Sequence, residues 1–367
     1  MSDSDTPGST PDEVNVNSLL EAATHRVSAG HELSADAARD VMAALISGEI
    51  SETVIVDFLA AMADKGPTAQ ELQGFLSAMR NAGVAVIPGR DVVDVVGTGG
   101  DGHHSVNIST MAAVALAATG VPVVKHGNRA ATSLCGAADV LEALGVAISL
   151  SAESVKACVD EVGIAFCFAP AFHPAMRHVA AARRAFGRPT FFNLLGPLAN
   201  PAHARMMLVG TADAQRAALL AQVLDSAGVT AAVVCADDGM DEVSTLVPTT
   251  VWMGGASAVI EPVALGLAIP EPGALDGGDA AYNADVARAV LDGVNEPRVN
   301  TVRDCVAVNA AAARAVWSGA RDAYAVVEGI STQLQHVRAV METGDAGRLL
   351  TRWAEVSSRL AAESENG

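Results

Sequence analysis

From Val92 to about residue 235 the chain repeats one pattern: a short apolar run rich in β-branched residues, then a longer segment with helical spacing. The short runs are VVDVV (92–96), VPVV (121–124), AISL (147–150), IAFCF (164–168), TFFN (190–193), RMMLVG (205–210) and AAVVC (231–235). Parallel neighbours in a sheet need long crossover connections, usually helices, which then cover both faces and make the strands apolar throughout. The alternation therefore predicts an α/β fold with a central, mostly parallel sheet covered by helices.

Before Val92 the spacing is helical. Ser34 precedes ADAARDVMAALISG, Ser51 precedes ETVIVDFLAAMADKG, and Thr68 with Glu71 forms a capping box before LQGFLSAMRNAG; each segment stops at or near a glycine. We expect a disordered tail over 1–14, a small α-helical domain over 15–88, and a larger α/β domain over 89–169 and 189–362. The helical segment HPAMRHVAAARRAFG, carrying Arg177, Arg183 and Arg184 with Arg188 just beyond, interrupts the strand pattern, so 170–188 is expected to return to the helical domain. The region from VAVNAAAARAVWSGA onward reads as helices closing the larger domain.

With 367 residues, half of them hydrophobic, the chain can build two cores. A net charge of -19 argues against nucleic acid or an anionic membrane surface as partner, because both demand a cationic face. The nearly apolar run MAAVALAATGVPVV (111–124) is too short to span a bilayer and is broken by Gly120 and Pro122. The start has no basic stretch followed by an apolar one, so no secretion is expected. The five cysteines show no C-x-x-C spacing and are expected to be reduced core residues of a cytoplasmic protein.

The first strand breaks into Gly97, Gly99, Gly100 and Gly102. A bare loop between strand and helix lets backbone N–H groups approach an anion, with the positive helix end behind them. Gly97, Gly99 and Gly102 satisfy G-x-G-x-x-G, which raises a nicotinamide dehydrogenase. That fold wants an acidic residue after the second strand to hold a ribose diol. Here VPVV leads to Lys125 and HGNRA, cations and amides that suit phosphate better. Asn107, Ser109 and Thr110 stand where the next helix begins and aim at the same anion. Asp241 and Glu242, after strand AAVVC, stand at the carboxyl edge where open α/β sheets bind ligands; adjacent acids on a loop can share Mg2+ with substrate phosphates, or be a solvated turn. His103 and His104 read as loop surface, since neighbours in sequence do not face each other.

Together GTGGD (97–101), NIST (107–110), KHGNRA (125–130), FNLLGPLANP (192–201) and GMDE (239–242), in this order and spacing, resemble the anthranilate phosphoribosyltransferases. The resemblance runs from about residue 15 to 360. It implies a small helical domain beside an α/β domain, of the nucleoside phosphorylase-like type, with phosphoribosyl pyrophosphate and anthranilate meeting at the hinge, Mg2+ as cofactor, and a homodimer associated through the helical domain. The implied reaction is the second step of tryptophan biosynthesis from chorismate.

The resemblance assigns Gly97, Thr98, Gly99, Gly100, Asp101, Asn107, Ser109, Thr110 and Lys125 to the donor, and Ser109, Asp241 and Glu242 to the metal. It implies no protein nucleophile. For anthranilate it points to Asn128, His173, Arg183 and Gly196, with Pro170 and Met176 as walls. Along the helical segment HPAMRHVAAARRAFG, at about 100 degrees per residue, His173, Met176 and Arg183 fall within an arc of roughly 80 degrees and can face one tunnel. HHSVNIST, ARRAFGRPTFF and CADDGMDE differ from the commoner family forms, which leaves a substituted anthranilate of specialised metabolism open as acceptor. A pyrimidine nucleoside phosphorylase, with a KHS-type phosphate loop, and a nucleic-acid-binding relative of the same fold stay open beside it.

Overall fold

Helix starts follow the caps written in the sequence. In a computed structural model describing residues 16–130, 133–267 and 270–365, the Ser34 hydroxyl accepts from Ala37 N–H ahead of the helix Ala35–Leu45. The expected tail over 1–14 lies outside the described residues. Thr68 and Glu71 bond reciprocally at the start of the helix Ala69–Asn81: Thr68 N–H donates to Glu71 Oε2 at 2.8 Å and Glu71 N–H to Thr68 Oγ1 at 3.3 Å.

Residues 16–78 and 175–191 form one compact unit, 79–174 and 192–365 the other. In the first, the helices Val16–Ser28, Ala35–Leu45 and Glu52–Lys65 bury Leu20, Met42, Phe58 and Leu59. Phe191 stacks on Phe75 with centroids 4.5 Å apart and meets Phe58 edge-on, so the later segment shares this core. The helical unit ends at Ala78 rather than at 88. Residues beyond it are tied into the other unit by Arg80 Nη2 to Leu198 O, Val84 N–H to Phe172 O and Val86 N–H to Pro201 O.

The larger unit carries a seven-stranded sheet of β1 Val93–Gly97, β2 Val123–Gly127, β3 Ile164–Phe168, β4 Met206–Gly210, β5 Thr230–Ala236, β6 Thr249–Met253 and β7 Ala256–Ile260, in the order β3-β2-β1-β4-β5-β6-β7. The first five are parallel; β6 and β7 are an antiparallel hairpin. Two expected strands are corrected. AISL buries Ile148 and Leu150 without joining the sheet, and TFFN runs into the helix Phe191–Leu198, because a short apolar run does not by itself distinguish strand from buried helix. The unexpected hairpin turns at Gly254–Gly255, both at positive φ, between two runs of β-formers; that dipeptide was its legible sign.

Glu71 does more than cap its helix. Fully buried, it also accepts from Leu33 N–H at 2.9 Å and Lys65 Nζ at 2.8 Å, tying its helix to the end of Glu52–Lys65 and to the segment that leads into Ala35–Leu45. Glu71→Ala would strand a buried N–H and an ammonium, at a cost of about 3 kcal/mol. Urea unfolding should show this loss; an unchanged midpoint would refute the role given to Glu71.

Candidate active site

β1 and β4 lie side by side, yet β1 continues to β2 on one side and β4 to β5 on the other. This reversal opens a crevice at the carboxyl ends of the two strands. Both strands end in glycine, and Gly97 and Gly210 are register partners. A Cβ on Gly210 would come within 1.6 Å of the Asp241 carbonyl oxygen, and one on Gly97 within 2.4 Å of Asp241 Oδ2. The missing side chains thus give Asp241 its place over the strand ends.

The loop from Thr98 is folded around that carboxylate. Thr98 N–H donates to Gly210 O at 2.9 Å and Gly99 N–H to Asp241 Oδ2 at 2.7 Å. Gly99 and Gly100, at φ +67 and +78, use backbone that side chains disfavour and face open space. Asp101 accepts from His103 N–H. His104 is exposed, whereas His103 is partly buried with Nε2 3.1 Å from Asp238 O. Asn107 precedes the helix Ile108–Ala118, but its amide is engaged by Cys135 O and Asn283 instead of capping it. Ser109 N–H, in the first turn, donates to Glu242 Oε1 at 2.9 Å. Thr110 is buried, its hydroxyl without a hydrogen-bond partner among the described residues.

Lys125 lies within β2. Its side chain is only 2% exposed, with Nζ 2.6 Å from Val95 O and 3.4 Å from Ser109 Oγ. Its ammonium thus joins the β1 backbone to the start of the helix Ile108–Ala118. Burial lowers its pKa, opposed by the charges of Asp94, Glu242 and Asp241. Asp94, the second residue of β1, is pushed up to about 6 by burial while Lys125, Asn200 and His126 N–H pull the other way. The pKa of Asp241 is raised by burial and by the like charge of Asp101, that of Glu242 by burial and by Asp241. Crowded carboxylates with a serine hydroxyl at hand form a hard oxygen donor set, and a cation would offset their repulsion; Mg2+ fits. Among the described residues no three His, Cys, Asp or Glu side chains enclose a metal, so Mg2+ here would share its shell with water or phosphate oxygens.

The acceptor residues divide between the units. Asn128, Pro170, His173 and Gly196 belong to the α/β unit, Met176 and Arg183 to the helical one. Asn128 is exposed at the end of β2, its Oδ1 accepting from Arg129 N–H, and Pro170 is exposed in the short helix Ala169–Phe172. His173, Met176 and Arg183 do not share one helix, contrary to expectation. Pro174 keeps His173 out of helical conformation, at φ -124 and ψ 59; a 3-10 turn Pro174–Met176 follows, and the helix proper is Arg177–Phe186. His173 is buried, its Nε2 2.8 Å from Ala199 O and its ring edge-on to His126. Gly196 is helical; its carbonyl lies 3.2 Å from His126 Nδ1, and a Cβ there would meet open space. Arg183 is partly buried, which lowers its pKa, while Arg184 is exposed.

Four residues that sequence reasoning passed over frame the site. Asp94 accepts from Asn200 Nδ2 at 2.7 Å and from His126 N–H at 3.2 Å, coupling β1 to β2 and to the segment after Gly196. Its signal was an acid inside an apolar strand. Gly210, ending its strand as Gly97 ends β1, was likewise visible; Asn200 and His126 carried no sign beyond their place within the motifs.

The α/β domain model of a glycosyl transferase family matches residues 89–347, and the family's helical bundle domain matches 21–83. The chain is 45% identical over 341 residues to the anthranilate phosphoribosyltransferase of Saccharopolyspora erythraea, covering 92% of this chain and 95% of that one. The anthranilate phosphoribosyltransferase structure from Thermus thermophilus is similar with a TM-score of 0.83 at 36% identity, covering 92% of this chain and 99% of that one. That of the Saccharomyces cerevisiae enzyme in complex with PRPP and Mg gives 0.82 at 26%, covering 93% and 98%. With both domains matched in order and the relatives spanned nearly end to end, the chain belongs to the anthranilate phosphoribosyltransferase family.

Proposed function

We propose that this chain transfers the 5-phosphoribosyl group from phosphoribosyl pyrophosphate to the amine of anthranilate, giving N-(5-phosphoribosyl)anthranilate and pyrophosphate. The observation that carries this reading is the glycine loop at the β1/β4 crevice, folded around Asp241 with Glu242 bonded to the adjoining helix start. The yeast relative's complex with PRPP and Mg and the anthranilate name of the bacterial relatives favour this donor, cofactor and acceptor over a substituted anthranilate or a nucleoside.

The bond from the ribose C1 to the pyrophosphate oxygen breaks as the amine nitrogen bonds to C1, and the amine then releases a proton. The hard part is charge separation, so the protein supplies electrostatics and needs no nucleophile. Gly97, Thr98, Gly99, Gly100 and Asp101 shape the donor cradle, with Asn107, Ser109 and Thr110 continuing it at the positive helix end. Asp241, Glu242 and the Ser109 hydroxyl hold Mg2+, which stabilises negative charge on the departing pyrophosphate. Lys125 neutralises phosphate oxygens of the donor, and its charge also balances the neighbouring carboxylates. Asn128, His173, Arg183 and Gly196 receive anthranilate, with Pro170 and Met176 as walls. The amine is neutral near pH 7 and attacks without a protein base.

No helix among the described residues is long and apolar enough to cross a membrane. The five cysteines are free and buried, which supports a cytoplasmic setting. A homodimer through the helical unit completes the reading.

Two experiments test it. Replacing Asp241 and Glu242 together with Ala should abolish anthranilate consumption, followed by its fluorescence, while circular dichroism stays unchanged. A double variant that keeps its turnover and its Mg2+ dependence would mean that the metal lies elsewhere. For the acceptor, Arg183→Ala should cost roughly 1.5 to 3 kcal/mol in kcat/KM for anthranilate, the value of a charge-assisted hydrogen bond. The KM for the donor should hold, and Arg184→Ala should leave both substrates unaffected. A defect confined to the donor, or a larger one in Arg184→Ala, overturns that assignment.

A further inference from the structure

The helix Pro297–Trp317 is buried from Cys305 to Ala313, a stretch of small and apolar residues apart from Asn309. An asparagine there disfavours the helix and brings a polar amide into a dry core, so its partners must compensate. They do so at one peptide. Asn309 Oδ1 accepts from Val243 N–H at 2.8 Å, and Nδ2 donates to Val243 O and to Cys305 O, both at 2.9 Å. The amide thus grips both polar groups of Val243, as a neighbouring strand would, and Val243 directly follows Asp241 and Glu242.

Those two residues have no regular structure of their own. Their segment is seated at one end by the Asp241 carbonyl against Gly210 and at the other by Val243 on Asn309. The backbone of Glu242 lies between these anchors, and its carboxylate reaches Ser109 N–H from there. A shift of a fraction of an ångström at Val243 would move both carboxylates, and metal sites tolerate little loosening of what supports their ligands.

We propose that Asn309 is a positioning residue for the divalent cation: it holds the Val243 peptide so that Asp241 and Glu242 converge on the metal. The inference rests on the metal assignment above. Loss of the grip raises the cation concentration needed for binding and turnover and leaves anthranilate recognition alone.

The experiment titrates Mn2+ alone into the full-length protein and reads the free ion by electron paramagnetic resonance, with circular dichroism of each variant. The wild type should bind Mn2+, and the Asp241→Asn, Glu242→Gln double variant should not. If the wild type fails to bind, or the double variant binds as well as the wild type, the metal assignment itself has failed. Asn309→Ala should raise the Mn2+ dissociation constant about tenfold, the low end of the range for lost outer supports of metal ligands. The half-saturating Mg2+ concentration in turnover should rise likewise, with KM for anthranilate unchanged. Asn309→Asp keeps the size and the acceptor for Val243 N–H but removes the amide donor, and should weaken Mn2+ binding in the same direction if Asn309→Ala does not fold. Wild-type Mn2+ affinity in either folded variant, or failure of both variants to fold, overturns the proposal in favour of a purely structural asparagine.

Discussion

Asp241 occupies space that two side chains would otherwise fill. Because Gly97 and Gly210 end adjacent parallel strands at the same level, the chain returning after β5 can lay a carboxylate and its peptide across both ends. The glycine loop then closes on that carboxylate through Gly99 N–H, and Glu242 is carried to the start of the helix Ile108–Ala118. Donor loop, helix end and acidic pair are one construction. It stands at the point where the strand order reverses, so the crevice follows from topology and its chemistry from a few residues.

Beneath this construction lies a set of buried charges. Lys125, Asp94 and Glu242 are all withdrawn from water, an arrangement that is costly unless each charge meets opposite charges or hydrogen bonds. Lys125 meets Val95 O, Ser109 Oγ and the field of three carboxylates; Asp94 meets Asn200 Nδ2 and His126 N–H. Burial raises the pKa of both Asp241 and Glu242, and the like charges of Asp101 and of Asp241 respectively add to it. A cation held by these carboxylates would offset that cost, which the positive charge of Lys125 already tempers at Glu242.

Local chemistry made much of this legible. Caps such as Ser34 and the Thr68–Glu71 box, the apolar β1 to β5 runs and the glycine loop report their surroundings within a few residues, because cap geometry, burial on both faces and positive φ each constrain the residue itself. Failures occurred where a short segment could serve two structures. TFFN is apolar enough for a strand yet opens a helix, and the arc joining His173 to Arg183 assumed a continuous helix that Pro174 forbids.

By itself the sequence determined the α/β alternation, the phosphate-suited loop and, through its ordered motifs, the family and its reaction. Tertiary structure decided that the Lys125 ammonium meets Val95 O, that Gly210 must lack a side chain for Asp241 to sit, and that Asn309 grips the peptide after Glu242. The physical reason is range. Backbone conformation and burial are imposed on each residue by near neighbours and leave a local trace, whereas a hydrogen bond between residues 243 and 309, or a clash between 210 and 241, exists only after distant segments have met.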